Sequence, residues 1–274
     1  MSRPYRFALI GCGFFAQNHL QAWAEMPDVE LVATCDINPD SAAAAAETFG
    51  GTPYTDAADL LAKEELDFVD IATTPPTHRM MVELAAHHNV AAICQKPLAW
   101  DMVDAQAMVR AMADADLLFM VHENFRFQYP MRKVKEVLDS GVIGRPFFGR
   151  ISFRTAHDVY SAQPWCMDAE RMIIADVSVH QFDLTRFFLG EPDRLFTEAI
   201  RVNPKIKGED VATIVLGLPG ATCIVDTSYE SSSDHSTYPQ TFVTIEGTDG
   251  TVTLGPEYHL QVVFPAGVHE EQLV

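Results

Sequence analysis

Phe7-Ala-Leu-Ile-Gly-Cys-Gly-Phe-Phe-Ala16 is the stretch that decides the fold. It begins with an uncharged apolar run, which is typical of a buried β-strand. The pattern G-x-G-x-x-A follows at once, and a helix-compatible segment comes after it. Gly11 permits a tight turn, Gly13 permits close approach of the backbone to a pyrophosphate, and Ala16 permits close helix–strand packing. The order strand, glycine turn, helix therefore predicts a dinucleotide-binding unit.

An acidic residue follows the second predicted strand. Leu31-Val-Ala-Thr-Cys reads as that strand, and Asp36 comes next, 20 residues after Ala16. A carboxylate there can accept hydrogen bonds from both hydroxyls of an adenosine ribose, whereas it would repel a 2′-phosphate. No Arg directly follows it. The combination favours NAD over NADP as cofactor. It also favours a dinucleotide site over the alternative, a plain strand-to-helix turn with an incidental acidic residue.

Apolar runs alternate with helix-period segments through the first part of the chain. Further strands are predicted at Phe68–Ala72, Ala91–Cys94 and Leu117–Val121, with helices between them. Strands that are apolar throughout and separated by helices indicate a parallel sheet covered on both faces. We therefore predict an α/β fold in which residues 1–122 form a Rossmann domain, a doubly wound parallel sheet that binds NAD.

The pattern changes after about residue 122. Helices are predicted at Met131–Asp139 and Ser178–Leu189, and strand-like runs without intervening helices follow between 195 and 254. Residues 157–172 look irregular. Successive strands of this kind favour a mostly antiparallel sheet. Residues 123–274 are thus predicted to form a C-terminal α+β domain that binds the substrate.

The net charge and the spacing of the cysteines exclude several classes of binding partner. Lys and Arg total 19 against 38 Asp and Glu, a formal net charge of −19 that repels nucleic-acid phosphates and anionic lipid heads. No apolar run reaches the ~18 residues that span a bilayer. The five cysteines are scattered without a C-x-x-C pair, which favours buried reduced thiols over disulfides or structural zinc. We expect a cytoplasmic protein with no nucleic-acid, membrane or metal partner.

Three further motifs follow one another along the chain. Ala72-Thr-Thr-Pro-Pro-Thr-His78 and Gln95-Lys96-Pro97 each follow a predicted strand, and Asp176-Val-Ser-Val-His180 lies near the start of a helix. Together they resemble the Gfo/Idh/MocA oxidoreductase family, whose members carry a Glu-Lys-Pro motif and an Asp-x-x-x-His pair. The resemblance covers nearly the whole chain. It implies an NAD(H)-dependent oxidoreductase that transfers a hydride between nicotinamide and a hydroxyl-bearing carbon of a sugar or polyol.

By this resemblance, Lys96, Asp176 and His180 are the catalytic residues. An imidazole titrates near ~6.5 and suits the proton acceptor. An ammonium lowers the pKa of a nearby hydroxyl and stabilises a developing alkoxide. Asp176 precedes His180 by four residues, so on a helix the two would share a face, and Asp176 would bind substrate or hold the imidazole tautomer. A simple surface pair is the alternative.

The glycine turn and the resemblance together define the expected binding residues. Those for NAD are Gly11, Gly13, Phe14, Phe15, Ala16, Asp36, Thr74, Pro75, His78, Gln95 and Lys96. Those for the substrate are Asn124, Arg126, Asp176 and His180. Two alternatives stay open: Arg126 binds a substrate carboxylate or joins the domains, and His78 lines the nicotinamide pocket or caps a helix.

The chain departs from the family pattern in two respects. Gln95 stands where the family has Glu, which removes a negative charge beside Lys96. Relatives carry a further C-terminal segment, whereas this chain stops at Glu-Gln-Leu-Val with no predicted closing element. We therefore expect a fragment or a shortened form. A bare sheet edge would need a partner, consistent with a homodimer or homotetramer through the C-terminal sheet.

Two other functions fit part of the pattern. One is a glycosidase that uses tightly held NAD for transient oxidation, and the other is a catalytically silent NAD-binding sensor. A sensor needs no proton acceptor, so retention of Lys96, Asp176 and His180 argues against it. Cofactor that never exchanges, together with cleavage of aryl glycosides, would favour the glycosidase.

Overall fold

The chain forms two compact units, Met1–His122 and Glu123–Val274. The structure is a computed structural model and describes residues 3–232 and 240–273. The first unit is a parallel α/β sheet and the second is an α+β unit with a mostly antiparallel sheet. The predicted fold class is therefore confirmed.

Six parallel strands form the sheet of the first unit. They are β1 (Tyr5–Ile10), β2 (Val29–Cys35), β3 (Thr52–Tyr54), β4 (Phe68–Ile71), β5 (Ala91–Gln95) and β6 (Phe119–His122). Their order is β3-β2-β1-β4-β5-β6, which reverses direction between β1 and β4. Ligands of such doubly wound sheets bind beyond the carboxyl ends of the strands at this reversal. Only β3 escaped prediction, because three residues are too few to show a hydrophobic pattern.

Five helices connect these strands. They are α1 (Ala16–Ala24), α2 (Pro39–Phe49), α3 (Ala57–Lys63), α4 (Pro75–His87) and α5 (Met102–Asp114). The side chains of Asn38, Asp56 and Asp101 each accept a hydrogen bond from a backbone N–H in the first turn of α2, α3 and α5, respectively. Such caps satisfy backbone donors that the helix itself leaves without a partner.

Gly11 fixes the path of the chain at the end of β1. Its φ is +95°, and a Cβ there would lie 2.7 Å from the carbonyl carbon of Ala72 in the loop after β4. Its N–H donates to the carbonyl oxygen of Cys35 at 2.7 Å. Only glycine combines this dihedral with such close approach of two backbones. By contrast, a Cβ at Gly13 would meet nothing within 4 Å.

Eight strands form the sheet of the second unit. They are β7 (Pro146–Arg154), β8 (Arg194–Ile200), β9 (Val211–Leu218), β10 (Ala221–Ser228), β11 (Thr241–Gly247), β12 (Thr251–Leu254), β13 (His259–Phe264) and β14 (Gly267–Gln272). Their order is β14-β13-β12-β11-β7-β10-β9-β8. Only β7 and β10 pair in parallel.

The expectation that no closing element follows residue 254 is wrong. Strands β13 and β14 form a hairpin that pairs Leu260 with Glu271 and Val262 with His269. Strand β13 buries Leu260 and Val262 in the core, whereas β14 is mostly exposed and reads Gly-Val-His-Glu-Glu-Gln. An edge strand of this composition shows no hydrophobic period, so the sequence did not reveal it.

Three α-helices lie within the described residues of the second unit. They are α6 (Tyr129–Asp139), α7 (Val159–Ala162) and α8 (Val179–Leu189), and a π turn over Ile174–Ser178 leads directly into α8. The stretch 157–172, expected to be irregular, contains α7 and a 3₁₀ turn over Pro164–Met167. Among the described residues, no helix is long and apolar enough to cross a membrane.

All five cysteines are buried and free, as the sequence predicted. Burial raises the pKa of the Cys12 thiol to about 12 and that of Cys35 to about 11. A thiol with so high a pKa carries almost no thiolate near neutral pH, so it is a poor nucleophile. These side chains therefore act as small apolar groups in the two cores.

Candidate functional site

The loops that follow β1, β2, β4 and β5 lie at one edge of the first sheet, because all four strands run parallel. These loops carry the glycine turn, Asp36, Thr74 and Lys96. The structure thus brings the predicted cofactor residues of the first unit to the same edge, at the reversal of strand order.

The glycine turn and Asp36 are linked by hydrogen bonds. The Asp36 Oδ2 atom accepts from the backbone N–H of Cys12 at 2.8 Å, and Oδ1 accepts from that of Asn38 at 2.8 Å. Phe14 and Phe15 are exposed beside the turn, and Ala16 is fully buried at the start of α1. The carboxylate is therefore held against the turn, with lone pairs remaining for ribose hydroxyls.

His78 packs on the segment that follows Lys96. Its ring is fully buried, with Nδ1 lying 3.1 Å from the carbonyl oxygens of Pro97 and Leu98, and Nε2 lying 3.1 Å from that of Thr73. Burial lowers the pKa of His78, so the ring is neutral and has one N–H to donate. The buried ring thus packs between α4 and the loop after β5, and its single N–H donates to a carbonyl oxygen on one of the two sides. Direct contact between His78 and the cofactor stays a prediction.

Thr74 and Pro75 start helix α4. Thr74 is the exposed residue before the helix, and Pro75 is its buried first residue. Proline is well tolerated there because the first helical N–H has no partner within the helix. The helix N-terminus consequently lies at the same sheet edge as the glycine turn, where its dipole favours an anionic group.

Lys96 follows β5 and is partly buried. Its backbone N–H donates to Oε1 of Gln95 at 2.7 Å, and its peptide bond to Pro97 is cis. Gln95 itself is buried, and its side-chain nitrogen lies 2.8 Å from Nε2 of His19. The backbone at Lys96 is therefore fixed on one side by Gln95 and on the other by His78.

His180 is the best-oriented titratable group of the second unit. Its Nδ1 lies 2.7 Å and 2.8 Å from the two carboxylate oxygens of Glu123. The ring of Phe125 stacks on it with centroids 3.8 Å apart and an interplanar angle of 4°. A carboxylate only accepts, so Nδ1 carries the proton. In the neutral ring, Nε2 then keeps its lone pair and can accept a proton.

Asp176 lies in the π turn over Ile174–Ser178, which continues directly into the helix that carries His180. That the two side chains share a face of this helical segment stays a prediction. Its Oδ2 accepts from the hydroxyl of Tyr229 at 3.0 Å. Burial and the nearby Asp176 carboxylate raise the pKa of Tyr229 well above its usual value, so the phenol stays protonated and donates. Single-turn π-bulges of this kind often mark functional sites.

Arg126 is held by a carboxylate of its own unit. Its guanidinium makes two hydrogen bonds with Asp183, one of them at 2.6 Å through Nε, and it also lies over the ring of Phe187. The pairing raises the pKa of Arg126. Asn124 is partly buried just before the 3₁₀ turn Phe125–Phe127. Substrate binding by Asn124 and Arg126 stays a prediction.

No sequence motif pointed to Glu123, Tyr229 or His19. Glu123 directly precedes Asn124, so its place beside a predicted substrate residue was a usable signal. Tyr229 is 53 residues from Asp176, and Glu123 is 57 residues from His180. Contacts over such separations leave no periodicity in a single sequence.

Both units match models of known domains. Residues 5–123 match the oxidoreductase family model with an NAD-binding Rossmann fold, and residues 131–253 match the Gfo/Idh/MocA C-terminal domain. The chain belongs to the Gfo/Idh/MocA oxidoreductase family. The resemblance inferred from the motifs at Lys96 and His180 is thereby confirmed.

Two curated relatives of this Gfo/Idh/MocA chain cover almost all of it. It is 50% identical over 263 residues, 95% of this chain and 76% of the relative, to the D-apiose dehydrogenase of Rhizobium rhizogenes. It is 49% identical over 262 residues, 95% of this chain and 70% of the relative, to that of Paraburkholderia graminis. The myo-inositol 2-dehydrogenase of Thermotoga maritima is 28% identical over 81% of this chain and 68% of the relative.

Solved structures agree with this assignment. An oxidoreductase from Agrobacterium radiobacter, crystallised with NAD⁺, L-tartaric acid and magnesium, has a TM-score of 0.95 and 49% identity, and covers 98% of this chain and 79% of that one. A levoglucosan dehydrogenase in complex with NADH and L-sorbose has a TM-score of 0.87 and 25% identity, with coverage of 98% and 80%.

This member of the family is an NAD-dependent oxidoreductase that acts on a hydroxyl-bearing carbon of a sugar, polyol or sugar derivative. The residues at the sheet edge fit the cofactor: Gly13 leaves open space above the turn, and Asp36 presents an oriented carboxylate. Within residues 3–232 and 240–273, no group of three or more His, Cys, Asp or Glu side chains is arranged to hold a metal ion.

Replacing Asp36 by Ala should raise the Kd for NAD by about 10–100-fold, because up to two hydrogen bonds to a charged acceptor are lost. The Kd for NADP should rise less than that for NAD, since a 2′-phosphate no longer faces a carboxylate and only the loss of the Cys12 hydrogen bond weakens NADP. Titration of NADH and NADPH fluorescence measures both constants. Asp40→Ala, on the exposed first turn of α2, is the matched control. Equal weakening of both cofactors would contradict the assigned role of Asp36.

Proposed function

We propose that the chain is a dehydrogenase of D-apiose or of a closely similar small aldose. The observation that carries this proposal is identity of about one half, continuous over 95% of the chain, to two relatives named D-apiose dehydrogenase. Identity to the inositol dehydrogenase of Thermotoga maritima is 28%. Because the matched region includes both units, the similarity extends over the cofactor half and the other half alike.

Lys96 is proposed to stabilise charge on the reacting oxygen. When bound, NAD⁺ supplies the acceptor for the hydride that leaves the substrate carbon. Loss of that hydride and of the hydroxyl proton converts the alcohol carbon to a carbonyl. An ammonium beside the hydroxyl favours the developing alkoxide. Gln95 and His78 support this role, since they fix the backbone on either side of Lys96.

His180 is proposed to accept the hydroxyl proton at Nε2. Glu123 supports this role because its carboxylate keeps the proton of the neutral ring on Nδ1. Phe125 restricts rotation of the ring by stacking on it. We further propose that Asp176, oriented by Tyr229, binds a substrate hydroxyl, and that Asn124 and Arg126 contribute to sugar binding.

A substrate panel tests the proposed specificity. NADH formation is followed with D-apiose, myo-inositol, levoglucosan and L-sorbose, with NAD and NADP in parallel. We expect kcat/KM for D-apiose to exceed that for myo-inositol by at least ~100-fold, since buried hydrogen-bonding groups discriminate strongly against mismatched hydroxyls. Comparable or higher kcat/KM with myo-inositol would sink the D-apiose assignment while leaving the oxidoreductase class intact.

We propose that residues 1–122 bind NAD, that residues 123–274 bind the sugar, and that the enzyme is a cytoplasmic homodimer or homotetramer. Strand β8 supports self-association, because Leu195, Phe196 and Ile200 are 73%, 65% and 52% exposed. Exposed apolar strands of this kind commonly pair with another surface. Analytical ultracentrifugation of the wild type and of Phe196→Glu tests the assembly: a monomeric wild type at micromolar concentration would refute it.

A further inference from the structure

A chain of buried hydrogen bonds ends at the backbone of Lys96. The Asp70 Oδ2 atom accepts from Nε1 of Trp23 at 2.7 Å and lies 2.9 Å from Nδ1 of His19. The His19 Nε2 atom lies 2.8 Å from Nε2 of Gln95, whose Oε1 accepts the N–H of Lys96 at 2.7 Å. Asp70 is fully buried, and His19 and Gln95 are 4% and 7% exposed.

The backbone N–H of Lys96 determines where each proton lies along this series of hydrogen bonds. That N–H can only donate, so the Gln95 atom that faces it must be the oxygen. The amide nitrogen of Gln95 therefore faces His19 and, at 3.3 Å, Nδ1 of His122. An amide nitrogen can only donate, so both facing imidazole nitrogens must be unprotonated. His19 is then neutral, with its proton on Nδ1, where Asp70 accepts it.

We propose that Asp70, His19 and Gln95 are positioning residues that hold Lys96, and that their hydrogen-bond polarity requires an amide rather than a carboxylate at position 95. A glutamate there would face two imidazole lone pairs without a hydrogen to donate. It would bond His19 only if the pair took up one extra proton, and the imidazole, which is ordinarily more basic than a carboxylate, would then become an imidazolium between two carboxylates. The role in turnover rests on the proposed function of Lys96, whereas the proton arrangement does not.

Two variants of His19 distinguish its hydrogen bond to Asp70 from its hydrogen bond to Gln95. The amide of an Asn reaches about as far as Nδ1 of a histidine, and that of a Gln about as far as Nε2. His19→Asn therefore keeps the bond to Asp70 and loses that to Gln95, whereas His19→Gln keeps an acceptor for Gln95. Both replacements are buried neutral amides, so they share the same desolvation cost.

The first experiment reads the protons without substrate. Long-range ¹H–¹⁵N correlation spectra of the ¹⁵N-histidine-labelled enzyme distinguish protonated from unprotonated ring nitrogens, and the His19→Gln spectrum assigns the His19 signals. We expect His19 to be neutral with Nδ1 protonated in the wild type, and to carry protons on both nitrogens in Gln95→Glu. A wild-type His19 that is charged, or protonated on Nε2 alone, would overturn the proposed proton arrangement, independently of the kcat values.

The second experiment measures positioning. We expect kcat to fall by about 10-fold in Gln95→Met and in His19→Asn, because small displacements of a reacting group are costly, and to stay within about 3-fold of wild type in His19→Gln. The Kd for NAD should change by less than about 3-fold in the two His19 variants, since His19 is not among the expected NAD-binding residues. Gln106→Met, at an exposed position on α5, is the matched control for Gln95→Met.

The outcomes separate this proposal from the proposed function. If His19→Asn and Gln95→Met keep wild-type kcat while Lys96→Ala loses it, the positioning proposal fails and the role of Lys96 stands. If Lys96→Ala keeps its turnover, the proposed role of Lys96 in the mechanism fails, and the spectra still decide the proton arrangement on their own.

Discussion

Lys96→Ala should lower kcat by about three orders of magnitude, as expected when a charge that stabilises a developing oxyanion is removed. NAD should still bind, because the glycine turn and Asp36 are untouched and are held by their own hydrogen bonds. The Kd for NAD is therefore expected to change by less than about 10-fold. Stopped-flow NADH formation at saturating sugar, together with cofactor fluorescence titration, gives both values.

The control for this substitution is Lys63→Ala. Lys63 is an exposed lysine of α3 that pairs with Asp59, and exposed pairs of this type contribute little to stability. It should leave kcat within about 2-fold of wild type. Turnover by Lys96→Ala close to that of the control would remove the lysine from the chemistry and with it the proposed mechanism.

His180→Ala should lower kcat by about 10²–10⁴-fold, the range that a positioned general base contributes. Glu123→Gln should cost less, about 10-fold, because the amide oxygen can still accept from Nδ1 while the stabilising charge is lost. Steady-state kinetics of both variants and of His87→Ala, an exposed histidine at the end of α4, provide the comparison.

Additivity gives a further check on the pair. If Lys96 and His180 serve the same proton transfer, the double variant should be much less impaired than the product of the two single effects predicts. Fully multiplicative losses would mean that the two residues serve separate steps. A His180→Ala enzyme with undiminished kcat would eliminate the imidazole as the base.

The first unit was largely predictable because its expected cofactor residues lie in short sequence motifs. Gly11 and Gly13 act through the conformational freedom of the backbone, and Asp36 acts through its place at the end of a strand. Both features can be predicted from short motifs that follow apolar runs. The position of Lys96 at the sheet edge followed from the same reasoning. His19 was not predictable, since its partner Asp70 lies 51 residues away on β4.

The second unit was less predictable because its site is assembled from distant elements. Asp176 and His180 were identified by resemblance, but their hydrogen-bond partners were not. Tyr229, which bonds Asp176, directly follows β10, and Glu123, which bonds His180, is the first residue of the unit. The π turn that carries Asp176 immediately before α8 has no propensity signal of its own. Strand β14 lacked a pattern because it is exposed along almost its whole length, so its side chains do not alternate between apolar and polar.

The double hydrogen bonding of Asp36 has a consequence for protein engineering. Its carboxylate is predicted to bind a ribose, and it also accepts a hydrogen bond from the Cys12 amide of the glycine turn. A redesign toward NADP that merely deletes the charge would loosen the phosphate-binding turn as well. Successful designs should therefore retain an acceptor oxygen at position 36, such as that of serine or asparagine, and introduce the cation for the extra phosphate at the neighbouring Ile37 instead.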